Sequence, residues 1–294
     1  MPSEVVTRTF TADIRNQEQA RRQLDPLGHS ASKLWNVGRH TIQRVWNQAG
    51  VIPDEDVLKD YLKTHERYED LHSQSSQRVL EELSEAFNAW YKQDDHDANP
   101  PSYRKQGDKH PRSTVTWKQQ GIRLDTKNHR VRLSKGKNHK QYRSDYVLCN
   151  YQLHDPERSL EEIESLQQVR AVWTGSKWEL HFVCKVELDT ASVSSDKTAG
   201  VDLGICNTIA ISFDSDTLLL PGNVLKEDTH YFRQVDYQTE NAPDGTPSER
   251  KSWARRKKSR RAEHYYHLLA LDVVRECVKR DVGRLGIGHP KDVR

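Results

Sequence analysis

The chain opens on VVTRTFTADI, an alternating stretch dense in β-branched residues that predicts a strand. From Gln17 the period changes. Leu24, Leu27, Ala31, Leu34, Trp35, Val37, Ile42, Val45 and Trp46 recur at the three- and four-residue spacings of a helix with one apolar face. Pro53 and the acidic run Asp54-Glu55-Asp56 suit the first turn of a second helix, where a missing N–H costs nothing and carboxylates complement the dipole. Ser75 or Ser76 then reads as the start signal of an amphipathic helix, VLEELSEAFNAWYK, with Val79, Leu80, Leu83, Ala86, Phe87 and Trp90 on one side. The polar, proline-bearing stretch DDHDANPPSYRKQGDKHPR closes this helical block.

Residues 113–187 have a different texture. STVTW, GIRLD, HRVRLS, SDYVLCNYQL, LQQVRAVWTG and KWELHFVCKVEL are short β-branched and aromatic segments, parted by turn residues such as Lys127-Asn128 and Gly175-Ser176. They predict an antiparallel sheet or small barrel, completed by the N-terminal strand with the helices inserted between. The polar stretch DTASVSSDKTA, residues 189–199, predicts a domain boundary. Beyond it, GVDLGICNTIAISFDSDTLLLPG reads as strand, glycine turn, strand, turn at Asp214–Asp216, strand. A mostly polar segment follows, then a long helix from about Ser248 to Arg280, and VGRLGIGHP reads as one more strand. The fold class is therefore α+β: a β-barrel-like domain over 1–188 with a helical insert at about 17–95, a linker over 189–199, and a second domain over 200–294.

Composition narrows the class of protein. The chain has 294 residues, 34% hydrophobic and 30% charged, enough for two cores under a large solvated surface. No apolar run reaches the length of a membrane span and the N-terminus lacks an apolar signal core, so a cytoplasmic protein is expected. Cys149, Cys184, Cys206 and Cys277 form no CxxC pair, which favours buried reduced thiols over a disulfide framework or a zinc site. The net charge of +3 hides a strong segregation. Residues 1–100 carry 12 Lys/Arg against 17 Asp/Glu, whereas residues 103–143 carry 13 Lys/Arg against only Asp108 and Asp125. A second basic block, residues 250–261, holds eight Lys/Arg and no acid. Two basic blocks interleaved with Tyr103, Trp117, Tyr142 and Trp253 point to phosphate backbones rather than to a plain solvated face. The candidate binders are Arg104, Lys105, Arg112 and Lys118 in the first block, and Arg255, Arg256, Lys257, Lys258, Arg260 and Arg261 in the second.

The sharpest local signal is Gly200-Val201-Asp202-Leu203-Gly204. A carboxylate inside an apolar strand is costly to bury alone and usually finds a partner. A strand-borne aspartate followed by glycine and a second apolar strand opens RNase H-like nuclease cores, where the carboxylate holds Mg²⁺. Hard cations take oxygen ligands, and two of them can stabilise both the attacking and the leaving oxygen of a phosphodiester. The same short pattern cradles phosphate in sugar kinases and actin-like ATPases, and Asp202 could also simply bond a turn. The helix that follows is basic in its first half, while Leu268, Leu269, Leu271, Val273, Val274 and Val278 are available for packing in its second.

GVDLGICNTIAIS, then a basic helix some fifty residues on, then VGRLGIG, resembles the RuvC-like core of TnpB proteins, the OrfB-type products of insertion sequences and relatives of type V CRISPR effectors. The upstream order agrees. LWNVGRHTIQRVW resembles the family's Asn-containing N-terminal helix, PPSYRKQGDKHPRSTVTW its basic connector, and VRAVWTGSKWELHFVCKVEL the strand pair before the nuclease core. The resemblance implies a β-barrel-like wedge domain with an inserted helical bundle, then a RuvC-like α/β domain. It implies a metal-dependent, RNA-guided DNA nuclease with guide RNA and DNA as partners, Mg²⁺ as cofactor, and Asp202 as catalytic residue and metal ligand.

The family's second carboxylate closes the strand after the basic helix, where this chain reads Ile287-Gly288-His289-Pro290. Its third carboxylate and paired-cysteine zinc ribbon lie further on than Arg294, and neither Glu276 nor Asp292 matches by context. The RuvC-like domain is thus expected to be incomplete, with one of three metal-binding carboxylates, weak Mg²⁺ binding and no zinc site. The expectation is a transposon-derived nucleic-acid-binding protein, associated with transposition, that does not cleave. Two alternatives stay open: an active Mg²⁺-dependent nuclease that recruits other acids or a second chain, and an ASKHA-type phosphotransferase built on Gly200–Gly204. The latter needs a second phosphate-binding turn and an adenosine pocket, for which no segment matches.

Overall fold

The computed structural model describes residues 3–92, 99–104, 111–140, 144–189, 195–204, 207–241 and 248–288. The chain divides into two compact units, essentially residues 3–190 and 191–294. The first contains β1 (Ser3–Ile14), α1 (Gln17–Ala49), α2 (Glu55–Leu62), α3 (Glu66–Glu69), α4 (Ser73–Tyr91), β2 (Val115–Lys118), β3 (Ile122–Asp125), β4 (Arg130–Ser134), β5 (Tyr146–Leu153), β6 (Ser165–Trp173) and β7 (Trp178–Asp189). The second contains β8 (Thr198–Leu203), β9 (Asn207–Ser212), β10 (Thr217–Pro221), α5 (Asn223–Gln238), α6 (Glu249–Lys279) and β11 (Arg284–Ile287).

In the first unit the strands run antiparallel in the order β2-β6-β7-β1-β5-β4-β3. The end strands β2 and β3 are joined by the short turn at Gln119–Gly121. Laid flat, seven strands about 4.8 Å apart would separate those ends by about 29 Å. A three-residue turn reaches no more than about 14 Å. The sheet is therefore curled into a near-barrel, as the sequence predicts. β1 is the hinge of this closure: it pairs along its whole length with β7, and only its last residues, Ala12 to Ile14, pair with β5.

Where β1 gives way to α1, two side-chain amides stand in for strand partners. Asn16 donates to Leu148 O at 2.9 Å and accepts from Asn150 N at 2.8 Å. Gln17 does the same with the Trp178 backbone, at 2.8 and 3.1 Å. α1 then buries Ala20, Leu24, Leu27, Ala31, Leu34 and Ile42 in the core it shares with α4 and the sheet, along the stripe its periodicity marks. Trp178 is fully buried against Gly28, where an added Cβ would meet the indole at 2.7 Å, and its Nε1 donates to Asp25 at 2.8 Å.

The start of α4 differs from the sequence reading. The helix begins at Ser73 rather than after Ser75 or Ser76, and both of those serines are buried inside its first turn. Their amides bond His72 O and the Ser76 hydroxyl donates to Tyr68 O at 2.6 Å, so they satisfy the turn from within.

The second unit is a four-stranded sheet in the order β10-β9-β8-β11, antiparallel except for the β8–β11 pair, which is parallel. The strand bearing Asp202 is flanked on both sides and β9 is its antiparallel neighbour, as expected from the sequence. Tyr265, Leu269, Val273 and Cys277, each four residues from the next, pack α6 on one sheet face against Ala199, Val201, Ile209 and Ile211. α6 ends in a Schellman turn: Asp281 takes a left-handed φ of 57°, its N–H donates to Val278 O, and Val282 N–H donates to Cys277 O. Gly283 then passes so close to Ser195 O that no Cβ fits, and its N–H bonds Lys197 O. This turn launches β11 parallel to β8.

Two expectations are corrected in this unit. The polar segment after β10 is the helix α5, which buries only Phe232 and so shows no apolar stripe. On α6, only Leu269 and Val273 of the six apolar residues marked for packing are buried; Leu268, Leu271, Val274 and Val278 are exposed. Among the described residues no helix is long and apolar enough to cross a membrane.

Candidate nucleic-acid interface

On β8 the burial alternates: Ala199 and Val201 face the core, Gly200 and Asp202 the opposite, open face. Asp202 is therefore exposed, which corrects the expectation of a buried carboxylate with a compensating partner. Among the described residues no hydrogen bond or ion pair engages it. The parallel register sets Ile287 beside Val201, and Gly288 donates from its N–H to Val201 O at 2.9 Å. The residue running alongside Asp202 on the same face is thus Gly288, which has no side chain. Glu276 is turned to Arg280 and Lys279 at the end of α6. His289 and Asp292 lie outside the described residues.

A magnesium centre needs several oxygen ligands converging on one point. At Asp202 the described residues offer one carboxylate facing a glycine, and they do not fit such a centre. The one described group of three potential ligands is elsewhere, Asp13, His154 and Glu179 in the first unit. The Lys177 ammonium already lies between its carboxylates, at 2.5 Å from Asp13 and 3.3 Å from Glu179. That ion pair, more than any other effect, holds Asp13 below the usual carboxylate range.

The basic residues divide into engaged and free. Arg104 is engaged: its backbone is read by the Asn36 amide, its guanidinium stacks 3.6 Å from the centre of the Trp35 ring, and it pairs with Glu82. Trp35 Nε1 and Arg39 Nε add bonds to Ser102 O and Pro101 O, so α1 clasps this end of the connector. Arg112 pairs with Asp25 and lies over Trp173. Burial pushes the Asp25 carboxyl up, but the bonds from Arg112 and Trp178 outweigh it and leave it low. Lys118 reaches Glu81 at 3.1 Å. Lys105 lies outside the described residues.

In α6, Arg255 forks onto Asp236 at 2.8 and 3.1 Å, and Arg261 bonds Asp228 at 2.6 Å. With Phe232 against Trp253, these pairs clamp α5 antiparallel to α6. Lys257 sits over Trp253. Arg256, Lys258 and Arg260 make no ion pair among the described residues. Sequence reasoning missed Lys226, His230 and Arg233 altogether. They line a cleft of about 460 Å³ with Gly204, Thr208 and Tyr266, at the end of the Asp202 strand. Their positions became visible only with α5, although the eight-residue step from Asp228 to Asp236, matched by two arginines six apart, is a charge-clamp signal in the sequence.

Residues 181–294 match the family OrfB_IS605, described as a probable transposase. The fold aligns with a Cas12f1 structure, described as the Cas12f1-sgRNA-target DNA complex, at a TM-score of 0.65 and 10% identity, over 97% of this chain and 81% of that one. Residues 181–294 thus resemble a probable transposase, and the fold is similar to that of Cas12f1. A second Cas12f structure, a CRISPR-Cas12f ternary complex, aligns at a TM-score of 0.43 and 11% identity, over 92% of this chain and 63% of that one. No curated protein matches the sequence. The chain thus combines a near-barrel and helical unit with a four-stranded mixed sheet, and the second unit lies within the stretch that matches a probable transposase.

Proposed function

We propose that this TnpB-like chain binds guide RNA and DNA and does not itself cut DNA. The observation that carries this reading is the register of β11 on β8: continued one step past Ile287 beside Val201, it sets Gly288, which has no side chain, alongside Asp202 where a second carboxylate would complete a metal site. Asp202 is the one family-matched ligand, and any Mg²⁺ it holds is bound weakly, since a single carboxylate supplies part of one coordination shell. The binding half of the reading rests on Arg256, Lys258 and Arg260, which form no ion pair among the described residues, together with the cleft carrying Lys226, His230 and Arg233. Arg104, Arg112, Lys118, Arg255 and Arg261 serve chiefly to hold the elements that present them. The fold analogue was solved with sgRNA and target DNA, which is the partner class this surface suits.

Counterion release gives the test. A surface that neutralises phosphates loses affinity steeply with salt, with a slope near −0.9 per phosphate on duplex DNA. Arg256→Ala/Lys258→Ala/Arg260→Ala is expected to weaken binding to all sequences alike and to flatten the slope by about two to three. An unchanged slope would return the α6 charges to the role of a solvated face.

A further inference from the structure

Asp13, His154 and Glu179 form a mixed group of metal-ligating side chains that the nucleic-acid reading does not use. The β1–β7 register sets Asp13 directly opposite Glu179. Two carboxylates facing each other across a ladder repel, so the position calls for a cation between them. His154, just beyond β5, closes a third side. Its backbone N–H donates to Thr11 O at 2.9 Å, and its Nε2 lies 3.0 Å from Asp13 Oδ1. One ligand atom from each of the three residues lies within 4.8 Å of the other two. His181 follows on the same outward face of β7, since Leu180 and Phe182 point into the core. In the structure the cation is the Lys177 ammonium, 2.5 Å from Asp13 and 3.3 Å from Glu179. It answers the two carboxylates and, among the described residues, makes no bond to His154.

We propose that Asp13, His154 and Glu179 bind Zn²⁺, which takes the place of the Lys177 ammonium. Zinc accepts imidazole nitrogen and carboxylate oxygen at about 2.0–2.2 Å, so three donors already gathered in one place need only close around it. Asp13 and His154 are each nearly half exposed, and turn without disturbing the core. The imidazole selects against Mg²⁺, which takes oxygen ligands. The charges balance. Two carboxylates neutralise the ion, His154 binds as the neutral ring through Nε2 with its proton on Nδ1, and Lys177 swings into solvent still protonated. Water completes a four-coordinate shell. The bound ion ties β1, the end of β5 and β7 together, which are the strands that meet where the near-barrel turns over at β1.

The test is a Zn²⁺ titration of the metal-free protein by calorimetry, with the melting temperature of the first unit as a second reading. The chain has 14 histidines, so the site is identified by differences between variants rather than by uptake alone. Lys177→Met removes the competing ammonium and should bind zinc about tenfold more tightly than wild type. Without zinc it should melt below wild type, because the two carboxylates then face each other unneutralised, and zinc should restore it. His154→Ala and Asp13→Asn each remove a ligand at an exposed position, and should weaken uptake by about a hundredfold with the fold intact. Wild-type zinc affinity in His154→Ala overturns the proposal. So does a Lys177→Met protein whose melting temperature zinc leaves unchanged.

Discussion

Leu24 and Val274 were both marked in the sequence as packing residues, and they have opposite fates. In the first unit the centre of each marked helical stripe is inside: Leu24, Leu34, Leu80 and Leu83 are fully buried, and Trp178 and Phe182 from the sheet join them. In the second, α6 covers one face of a small sheet and leaves Val274 at 56% and Val278 at 64% exposure. The first unit is ordered by burial, the second by one apolar seam supplemented with charge pairs and a turn of fixed geometry. A substitution should therefore act through lost packing in one and through backbone fit in the other.

The largest expected effect breaks the first unit. Trp178→Ala removes a buried indole, its bond to Asp25 and the filler of the Gly28 notch, and should cost about 3–5 kcal/mol in urea unfolding followed through the first unit. Next is Gly283→Ala. The obstacle is the Ser195 backbone, which cannot swing aside, so a loss of about 3 kcal/mol is expected, read as faster amide exchange in β8 and β11 with the first unit unaffected.

Asp70 sharpens the contrast, because it is a charge that the first unit holds inside. Burial pushes its carboxyl up, but bonds from Asn138, Ser30 and Arg67 more than offset this and leave it below 3.8. The stabilisation from a depressed carboxyl is present above its unfolded value and disappears as pH falls through the folded one. The first unit should thus lose stability below about pH 4. Asp70→Asn should cost about 1–2 kcal/mol at neutral pH and flatten that acid limb; an unaltered limb would remove Asp70 from the account. The smallest effect is a gain. Asp281→Gly relieves a left-handed φ of 57° and should stabilise the second unit by about 1 kcal/mol, seen as a higher midpoint for α6.

The same contrast decides what could be read from sequence. Strands β2 to β7 were legible because β-branched and aromatic segments are parted by turn residues, and α1 because Leu24, Leu27, Ala31 and Leu34 share one stripe. α5 was illegible: its helix depends on Arg261 and Arg255 from α6 meeting Asp228 and Asp236, contacts that local apolar period does not encode. At the candidate site, GVDLG gave the strand, the position of Asp202 and its antiparallel neighbour. It could not give the register with β11, which turns the departure at Gly288 from a mismatch in a motif into a missing side chain beside the carboxylate. Composition likewise could not show that Arg104, Arg112, Arg255 and Arg261 are each joined to an acid of the same chain, because charge alone does not encode its partner.

Binding without cutting is the central claim, and cleavage is its most direct test. Purified protein, a candidate guide RNA, a plasmid target and abundant Mg²⁺ are incubated beside the Asp202→Ala variant. The account predicts no guided nicking or double-strand cleavage by either protein. Cleavage by the original chain that disappears in Asp202→Ala would contradict it, and would mean that other acids join Asp202 around the metal.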